Sequence, residues 1–463
     1  MTDLQQHAPA VAAAILGTSS QEIAETLAGL RSADAAEAVN ALDLALASHV
    51  VEAMTVPAAI PIFNEPHLDR PARLIEQIAT DRAASILTGL HPDRRADIFR
   101  RLPAAARANL SARLDGPMRE SLAQLLSYPT HSAGAIMTTD FMSVPSDWTV
   151  ERTLKLIREE SGDKETIYTI CLVDPSSRKL EHVISLRRLI MSEPQATVSS
   201  VARPFQPIKV SPATDREEVA RLISKYDLLA VPVVAADGQV LGIVTVDDVM
   251  DAIIQEGTED VQKFGGSEAL DEPYLKIGFA TMIRKRGGWL CALFLSEMLT
   301  ASAMQHFQGE IEKAIVLSLF IPLIMSSGGN SGSQATSLII RALALREITL
   351  KDWWKIASRE LPAGLVLGAM LGVIGFARIA LWQKLGFYNY GDHWALVALT
   401  VGLALTAIVT FGSMSGSMLP FVLKRFGFDP ATASAPFVAT LVDVTGLVIY
   451  FSVAYLVLRG TLL

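Results

Sequence analysis

The chain has 463 residues, a formal net charge of −8 and 50% hydrophobic residues, with a mean hydropathy of +0.34. This length predicts about three domains, and the acidic balance argues against a nucleic-acid partner, which requires clustered Lys and Arg. Most charged residues precede position 286 and the long apolar runs follow it, which indicates a soluble region followed by a membrane region. Cys171 and Cys291 lie far apart in apolar surroundings, so we expect packing residues in a reducing compartment.

The N-terminal region has no export signal and its pattern is helical. Residues 1–20 lack a basic segment, so we interpret them as the start of a helix and expect this region in the cytoplasm. Amphipathic segments over residues 20–127 are separated by turn signals such as His91-Pro92 and Pro103. An α-helical superhelix or bundle over residues 1–134 is therefore predicted. No catalytic constellation appears in it, and we expect His91 to be a surface residue.

Residues 138–254 contain an internal repeat of about 60 positions. The copies read ICLVDPSSRKLEHVISLRRLIM and AVPVVAADGQVLGIVTVDDVMD, so that Ser185 matches Thr245. Each has an apolar strand, a polar turn, a second strand and then Ser or Thr before a helix. Two such β-β-α units resemble a pair of CBS domains, which we assign to residues 135–254, with repeats at about 138–200 and 201–254. Helices are predicted before the strand pairs, over Val150–Ser161 and Asp215–Tyr226.

The segment VDDVMDAIIQEGTEDVQK after the repeats is crowded with acids. Such a run is commonly a solvated helix face. It leads towards the first membrane segment, however, and crowded carboxylates repel one another until a divalent cation relieves the repulsion. We therefore predict an acidic connecting helix within residues 255–283 that acts as a charge switch on a bistable element. The acids of the run are Asp247, Asp248, Asp251, Glu256, Glu259 and Asp260.

Five apolar segments in residues 284–463 are long enough to cross a membrane, which needs roughly 20 residues per helix. Basic residues cluster before the first segment, between the second and third, and after the fourth. This positive-inside pattern predicts a cytoplasmic N-terminus and, with five spans, a C-terminus outside. The segments are approximately Gly287–His306, Ala314–Ser333, Leu361–Trp382, Trp394–Met414 and Ala431–Leu458.

Polar residues inside membrane spans are costly and are therefore functional candidates. The fifth span carries Asp443 between apolar residues, and a carboxylate near mid-membrane suits a hard cation such as Mg²⁺. The alternative for Asp443 is a helix-packing hydrogen bond with Thr440 or Thr445. Glu297 in the first span has three open interpretations, as a second acid of an ion path, a packing residue or an interfacial group.

The second span ends in PLIMSSGGNSGSQ, where glycines and Asn330 interrupt an otherwise apolar helix. Carbonyl groups at such a break can face an ion path, because membranes tolerate irregular backbone only where it lines a cavity. The alternative for Gly328, Gly329 and Gly332 is close helix packing through small residues.

Taken together, these features resemble the MgtE family of magnesium channels over nearly the whole chain. The strongest matches are IVTVDDV, SGGNSGSQATSLIIRALALR, LPFVLKRFGFDPA and VATLVDVTGLVIYFSVA. The resemblance implies a multidomain membrane protein with an all-α N domain, an α/β CBS-domain pair, an acidic plug helix and a five-helix transmembrane bundle. It also implies a homodimer in the plasma membrane, the bacterial inner membrane, that conducts Mg²⁺ and closes when cytoplasmic Mg²⁺ is high.

The resemblance also implies roles for single residues. In the pore, Asp443 would hold a largely hydrated Mg²⁺, framed by carbonyl groups of Ala439 and Gly446 and accompanied by Gly328, Gly329 and Asn330. Regulatory Mg²⁺ would bind between the N domain, the CBS pair and the plug through Asp215, Glu217, Asp248, Asp251, Glu256, Glu259 and Asp260. Thr245, Asp248 and Arg187 would hold a nucleotide such as ATP. The first repeat departs from the family because Arg188 replaces the expected acid, and Ala435 stands where some members have Asn.

Three other functions remain as alternatives. Oxygen ligands do not by themselves separate Mg²⁺ from Mn²⁺, Co²⁺ or Ca²⁺, so a broader divalent-cation transporter is the nearest one. An anion channel would need Arg, Lys or helix N-termini in the spans, and a CBS-regulated membrane sensor would not need Asp443. No nucleophile, base or cofactor motif indicates an enzyme. The resemblance favours a channel over a coupled carrier.

Overall fold

The computed structural model describes residues 19–160, 162, 164–270 and 272–462. They form two compact units, Met1–Gln255 and Glu256–Leu463. The predicted start of a helix within residues 1–18 lies outside the described residues.

Short helices follow one another through the first half of the first unit, and each packs mainly against the next helix but one. Apolar side chains such as Ile23, Phe63 and Phe99 are fully buried between them. The all-α prediction for this region is therefore confirmed. The helices are Ser20–Ala28, Ser32–Ala41, Leu44–Ala53, Val56–Asn64, Pro71–Gln77, Thr80–Thr88, Pro92–Arg101, Ala104–Ser111 and Gly116–Ser127.

Polar side chains satisfy the exposed ends of these helices. Ser19 and Glu22 form a capping box at the start of the first helix. At the C-terminal ends, the partners are arginines from later helices. Arg82 Nε donates to Val51 O at 3.1 Å, and Arg94 Nε donates to Phe63 O at 2.9 Å. Each of these arginines thus joins its own helix to the C-terminal carbonyl groups of an earlier one. The hydrogen bonds fix the stacking that the sequence pattern only suggested.

The second half of the first unit contains the two repeats. Strand β1 (Met142–Pro145) is parallel to β2 (Thr169–Val173), which is antiparallel to β3 (Leu180–Ser185). In the second repeat, β4 (Ala230–Val234) is antiparallel to β5 (Val240–Thr245). The two hairpins share their register, because Ser185 opposes Thr169 as Thr245 opposes Ala230. The predicted repeat is confirmed.

The repeats are joined through their hairpins. Lys179 and Gln239 form an antiparallel bridge, and Leu180 N donates to Gly238 O at 3.0 Å. Cys171 is buried in an apolar cluster that contains residues of both hairpins, as expected for a packing cysteine. The helices of this part are Ala133–Ile136, Val150–Glu160, Leu186–Ile190, Val198–Val201 and Arg216–Tyr226.

A connecting helix, Val246–Phe264, follows β5 directly and crosses the boundary between the two units. The acidic segment was predicted to be helical within residues 255–283, but the helix begins earlier and ends at Phe264. It ends there because Gly265 and Gly266 follow, and Gly266 has a φ of +75°, which side chains other than glycine rarely adopt. The next long helix begins at Phe279.

The second unit contains five helices that are long and apolar enough to cross a membrane, which confirms the predicted number of spans. The first, third and fourth helices extend past the predicted apolar segments because basic and aromatic interface residues continue them. The second helix begins and ends later than predicted, and the fifth begins at Ala435 instead of Ala431. The first span is Phe279–His306, the second Ile321–Ala344, the third Trp353–Leu385, the fourth Trp394–Arg425 and the fifth Ala435–Leu458. Shorter helical pieces lie between them at Gln308–Lys313, Ile315–Phe320, Leu350–Asp352 and Pro430–Thr432.

The spans are packed very unevenly. The third and fourth spans approach closely through glycines, since a Cβ at Gly368 would lie 2.7 Å from Thr406 O. The second, fourth and fifth spans enclose a common apolar core that includes Ile324, Ile408 and Val442. By contrast, none of the residues of the first span is buried, and within this chain it packs chiefly on the fifth.

Candidate ion path and acidic clusters

Asp443 lies on the fifth span between buried Val442 and half-buried Val444, and it is itself half-buried. Within the described part of the chain, no group donates a hydrogen bond to its carboxylate and no cation pairs with it. A carboxylate in an apolar bundle without such a partner is costly unless a cation or water meets it. The fifth span therefore presents an acid that packing alone does not explain.

The packing alternative for Asp443 is wrong. Thr440 Oγ1 donates to Pro436 O at 2.9 Å, and Thr445 Oγ1 donates to Leu441 O at 2.7 Å. Each hydroxyl group has a single hydrogen to donate and gives it to its own helix. Neither threonine is therefore available to satisfy the carboxylate of Asp443.

Glu297 of the first span is an electrostatic neighbour of Asp443, and the two carboxylates repel each other. Glu297 itself is exposed on the surface of the single chain. Of its three sequence-based interpretations, a second acid beside the same path agrees best with this placement. A packing role does not, because no residue of the first span is buried.

The predicted break in the second span is wrong, because its helix continues from Ile321 to Ala344 through all the glycines. These glycines allow close approach instead. A Cβ at Gly328 would lie 2.5 Å from Ile408 Cγ2 and 2.7 Å from Val442 Cγ1, and one at Gly332 would lie 2.7 Å from Val438 Cγ1. Their carbonyl groups lie within a continuous helix, so no backbone is freed there. The alternative of close packing through small residues describes Gly328 and Gly332 better.

Other predicted path residues lie where the second and fifth spans meet. A Cβ at Gly329 would touch Ala439 Cβ at 3.4 Å, and Ala439 is one helical turn before Asp443. Gly446, one turn after Asp443, is buried against Met325. Asn330 follows Gly329 and is exposed, as is Ser326 one turn earlier. The second span thus exposes polar side chains next to its contact with Ala439, one turn before Asp443.

Asp215 and Glu217, predicted as regulatory ligands, are exposed at the start of the helix Arg216–Tyr226. Asp215 is the N-cap of that helix, and its carboxylate accepts a hydrogen bond from Glu217 N at 2.8 Å. One carboxylate oxygen of Asp215 therefore already has a structural role, which the sequence analysis did not assign.

Asp248 lies in a second acidic cluster, inside the first unit. Burial raises its pKa well above the usual value, repulsion from Asp93 raises it further, and Thr245 Oγ1 opposes the shift by donating a hydrogen bond. Asp93 Oδ1 is buried without a hydrogen-bond partner. Burial raises the pKa of Asp93 to about 6, and repulsion from Glu165 adds to the shift. This cluster therefore holds more negative charge than it neutralises.

His91 belongs to the same cluster. Its side chain is 44% exposed, as expected for a surface residue, but it has a partner that the sequence did not indicate. Its Nδ1 pairs with the carboxylate of Glu165, and this contact raises the pKa of His91. Ligand atoms of His91, Asp93 and Glu165 lie within 4.8 Å of one another, a spacing that a metal ion could bridge. Sequence reasoning missed Asp93 and Glu165 because the helix and the loop that carry them meet only in the fold.

Asp251, one turn after Asp248, is half-buried in the first unit. Burial raises its pKa, while His67 and Arg94 favour its ionised form. Further along the same helix, Asp260 belongs to the second unit, where burial and repulsion from Asp429 raise its pKa to about 6. Glu256 and Glu259 are half-buried beside it. Of the acids of the run, Asp248, Asp251, Glu256, Glu259 and Asp260 are thus all partly enclosed, and a freely solvated helix face does not describe them.

For the predicted nucleotide site, the structure places Thr245 and Asp248 together, since the threonine hydroxyl donates to the aspartate. Arg187 lies on the short helix Leu186–Ile190 and is exposed, as is Arg188 beside it. Ser185, the counterpart of Thr245, is exposed and caps that helix without a side-chain hydrogen bond. The second repeat therefore keeps a polar pair that the first repeat lacks.

Comparison with known proteins identifies the family. Residues 321–453 match MgtE, described as a divalent cation transporter, residues 9–131 match the MgtE intracellular N domain, and residues 133–193 and 198–255 match CBS domains. The magnesium transporter MgtE of Thermus thermophilus is 41% identical over 336 residues, which cover 73% of this chain and 72% of that protein. The chain belongs to the MgtE family.

A second relative gives the same result. The magnesium transporter MgtE of Enterococcus faecalis is 34% identical over 72% of this chain and 71% of its own length. Among solved structures, the cytosolic domain of the Mg²⁺ channel MgtE in complex with ATP is similar to 53% of this chain and covers 99% of its own, with 31% identity and a TM-score of 0.48. The family, the CBS pair and the five-helix membrane region predicted from the sequence are confirmed. MgtE proteins are transporters, so an enzymatic function is excluded.

Proposed function

We propose that this MgtE protein transports Mg²⁺ across the plasma membrane along a path at Asp443. The main support for this proposal is the carboxylate of Asp443, which lies within the apolar bundle with no hydrogen-bond or ion-pair partner among the described residues. A mobile cation would supply the missing charge. The relatives named as magnesium transporters support Mg²⁺ as that cation.

Hydrated Mg²⁺ fits this site better than a stripped ion does. Mg²⁺ releases its waters reluctantly, and each subunit offers one central carboxylate rather than a cage of ligands. Carbonyl groups of Ala439 and Gly446, one turn on either side of Asp443, would then bind the ion's waters. Asn330, exposed on the neighbouring span, is a further hydrogen-bonding group for those waters.

The path requires a second copy of the chain. In one chain Asp443 is half-exposed, Asn330 is exposed, and the first span has no buried residue. Polar side chains on the outside of a membrane bundle are unfavourable against lipid, whereas a two-fold partner would enclose them. A homodimer with one Asp443 from each subunit therefore supports the proposed path. The loop charges favour a cytoplasmic N-terminus and an outside C-terminus.

Ion flux into proteoliposomes tests the path. Compared with the wild type, Asp443→Asn and Asp443→Ala are expected to lower Mg²⁺ flux at least about 100-fold, which corresponds to about 3 kcal/mol of lost cation stabilisation. Thr445→Val is the matched control, because its hydroxyl group bonds within the helix, and it should conduct normally. Undiminished flux in both Asp443 variants would exclude this path.

The same vesicles separate the proposed ion from its alternatives. Mn²⁺, Co²⁺ and Ca²⁺ are offered in turn, each in competition with Mg²⁺. A preference for Mg²⁺ is expected if waters are retained, because Mg²⁺ holds its hydration shell most firmly. Equal flux of the transition metals would instead indicate a general divalent-cation transporter.

We further propose that cytoplasmic Mg²⁺ closes this path by binding to the acidic clusters. Asp93, Asp248 and Glu165 repel one another, as do Asp260 and Asp429. A divalent cation would turn this repulsion into attraction and would hold the connecting helix in one position. Loss of the cation at low Mg²⁺ would release the helix and open the path. Asp251, Asp215 and Glu217 in the first unit and Glu256 and Glu259 in the second would supply further carboxylates for such binding.

ATP binding at the CBS pair is a finer part of the proposal. The hydroxyl group of Thr245 and the carboxylate of Asp248 lie together at the end of β5, where both could bind a ribose. Arg187 would supply a charge for phosphate. Because Asp248 also belongs to the proposed cation cluster, ATP and Mg²⁺ should influence each other's binding. Equilibrium dialysis with ATP and Thr245→Val tests this part, and equal binding by wild type and variant would contradict it.

A further inference from the structure

The end of the connecting helix is anchored in the second unit by an ion pair. Lys263 Nζ lies 2.9 Å from Asp429 Oδ2 and 3.3 Å from Glu259 Oε2. Asp429 is on the loop that precedes the fifth span, far from Lys263 in the sequence. The side chains of Lys263 and Asp429 are 29% and 39% exposed, so this is a partly exposed ion pair, in which the lysine contacts two carboxylates instead of one.

Two apolar contacts flank this ion pair. Phe264 packs against a cluster formed by Ile340 of the second span with Ala431 and Ala433 of the same loop. After it, Gly266 passes so close to the first and fifth spans that a Cβ there would lie 3.0 Å from the Trp289 ring and 3.2 Å from Pro436 Cγ. The end of the connecting helix is therefore in direct contact with the loop before the fifth span.

The loop in turn determines where the fifth span begins. Asp429 Oδ1 accepts a hydrogen bond from Ala431 N at 2.9 Å, and Ser434 is the N-cap of the fifth span. Trp289 Nε1 of the first span also donates to Ser434 Oγ, at 3.3 Å. A helix moves nearly as a rigid body, so a displacement of this cap moves the residues of the next turns with it. Asp443 is among those residues.

We propose that Lys263 is a positioning residue that couples the connecting helix to the loop Asp429–Ser434, and through this loop to Asp443. The inference rests on the proposed function and deepens it by naming the contact, the Lys263–Asp429 ion pair, through which movement of the connecting helix changes the ion path. When the acid run changes its position, Lys263 moves Asp429, and the start of the fifth span follows. Without the ion pair, the cytoplasmic region still responds to Mg²⁺, but the response no longer reaches the path.

Two measurements on the full-length chain separate binding from coupling. Limited proteolysis in micelles reports whether Mg²⁺ protects the soluble region. Flux into proteoliposomes, with low or millimolar Mg²⁺ on the side of the soluble region, gives an inhibition ratio. For Lys263→Met we expect protection by Mg²⁺ as in the wild type, together with an inhibition ratio lowered by about fivefold or more, the lower range of coupling factors between linked sites. Lys424→Met is the matched control, because Lys424 is exposed near the same loop and has no ion-pair partner among the described residues.

The conservative variant Lys263→Arg distinguishes coupling from simple packing, because it keeps the charge and leaves the hydrogen bond from Ala431 N to Asp429 intact. Recovery of most of the inhibition ratio in this variant supports the coupling. An unchanged ratio in Lys263→Met overturns the inference, and so does a lowered ratio that Lys263→Arg does not restore. If the wild type shows neither protection nor inhibition by Mg²⁺, the proposed regulation itself fails, which is a different result from either of these.

Discussion

In the fifth span a single carboxylate stands among apolar residues, and its electrostatic neighbour is another acid, Glu297. The connecting helix carries a crowd of carboxylates at the edge of water, several of them half-buried and pressed against acids of other elements. Both regions leave negative charge without compensation. They differ in whether the position of the helix depends on this charge. Apolar packing holds the fifth span in place, whereas charged contacts partly hold the connecting helix.

This difference separates conduction from control. An acid in a rigid, apolar surrounding can meet a passing ion without moving, so its removal should affect flux and leave the fold unchanged. Acids that repel one another across a movable element make the position of that element depend on cations. The comparison predicts that variants of Asp443 lower flux and leave the Mg²⁺-dependent protection of the soluble region unchanged. If Asp443→Asn altered the Mg²⁺-dependent protease protection of the soluble region, this separation would fail.

The largest effect is expected when the acids of the connecting helix are neutralised together. In the variant with Glu256→Gln, Glu259→Gln and Asp260→Asn, the proteolysis half-life should be the same with Mg²⁺ and with chelator, because no bound cation then stabilises the protected form. Limited proteolysis of the full-length chain measures this. The control neutralises three exposed acids of the N-terminal helices, Glu25, Glu37 and Glu120, and should keep the wild-type dependence. Persistent Mg²⁺ protection in the first variant would show that these three carboxylates do not bind the protecting cation.

A smaller effect is expected from Asp93→Asn, and it should be seen in chelator, where no Mg²⁺ is bound. Removing an enclosed charge with a pKa near 6 should lengthen the proteolysis half-life in chelator by roughly tenfold, the equivalent of one pKa unit. The exposed Asp34 on a distant helix offers the control Asp34→Asn, which should have no effect. A shorter half-life for Asp93→Asn would mean that the carboxylate stabilises the cluster by itself.

The raised pKa values also predict a dependence on pH. Burial raises the pKa of Asp93 and of Asp260 to about 6, above the value of an unfolded aspartate. Both groups are therefore ionised, and destabilising, above pH 6, and the folded form gains stability as the pH falls through this value. In chelator, resistance to a protease that is active across the range should rise by a few-fold between pH 7.5 and 5.5, at about 1.4 kcal/mol per pKa unit at most. With saturating Mg²⁺ this rise should vanish, and an equal rise in both conditions would contradict a shared site.

The smallest effect is expected from Glu297→Gln. If this carboxylate only adds to the potential near Asp443, flux should fall by about two- to fivefold, which corresponds to about 0.5–1 kcal/mol. The proteoliposome assay measures the change, with Glu310→Gln beyond the end of the first span as the control. A loss as large as that of Asp443→Asn would make Glu297 an equal partner of the path instead of a minor one.

Local patterns predicted the elements well, whereas contacts between distant segments could not be predicted. Apolar length and the alternation of basic loops indicated all five spans, because a bilayer imposes both features directly on the sequence. The shared register of the two hairpins was visible in the match of Ser185 with Thr245. The cluster of His91, Asp93 and Glu165 was not, since it forms only when a helix end meets a loop of the first repeat.

The glycine-rich segment shows a second limit of sequence reasoning. In a sequence, glycines that break a helix and glycines that let two helices touch look the same. The choice depends on what lies opposite, and here Gly328 and Gly332 face Ile408, Val438 and Val442 at distances that admit no side chain. The role of Glu297 could not be predicted for a related reason. Its neighbour Asp443 lies on the last span, far from Glu297 in the sequence.

The loose packing of the first span has a consequence for how the chain is made. Within one chain its contacts are chiefly with the fifth span: the ring of Trp289 lies 6.3 Å from that of Phe437, and Phe307, directly after the span, stacks on Phe451 at 4.9 Å. During synthesis the first span therefore enters the bilayer well before its partner helix exists. It must wait in lipid as a single helix while the second, third and fourth spans assemble beside it. Insertion of the fifth span then completes the bundle, so the path cannot form on a partly translated chain.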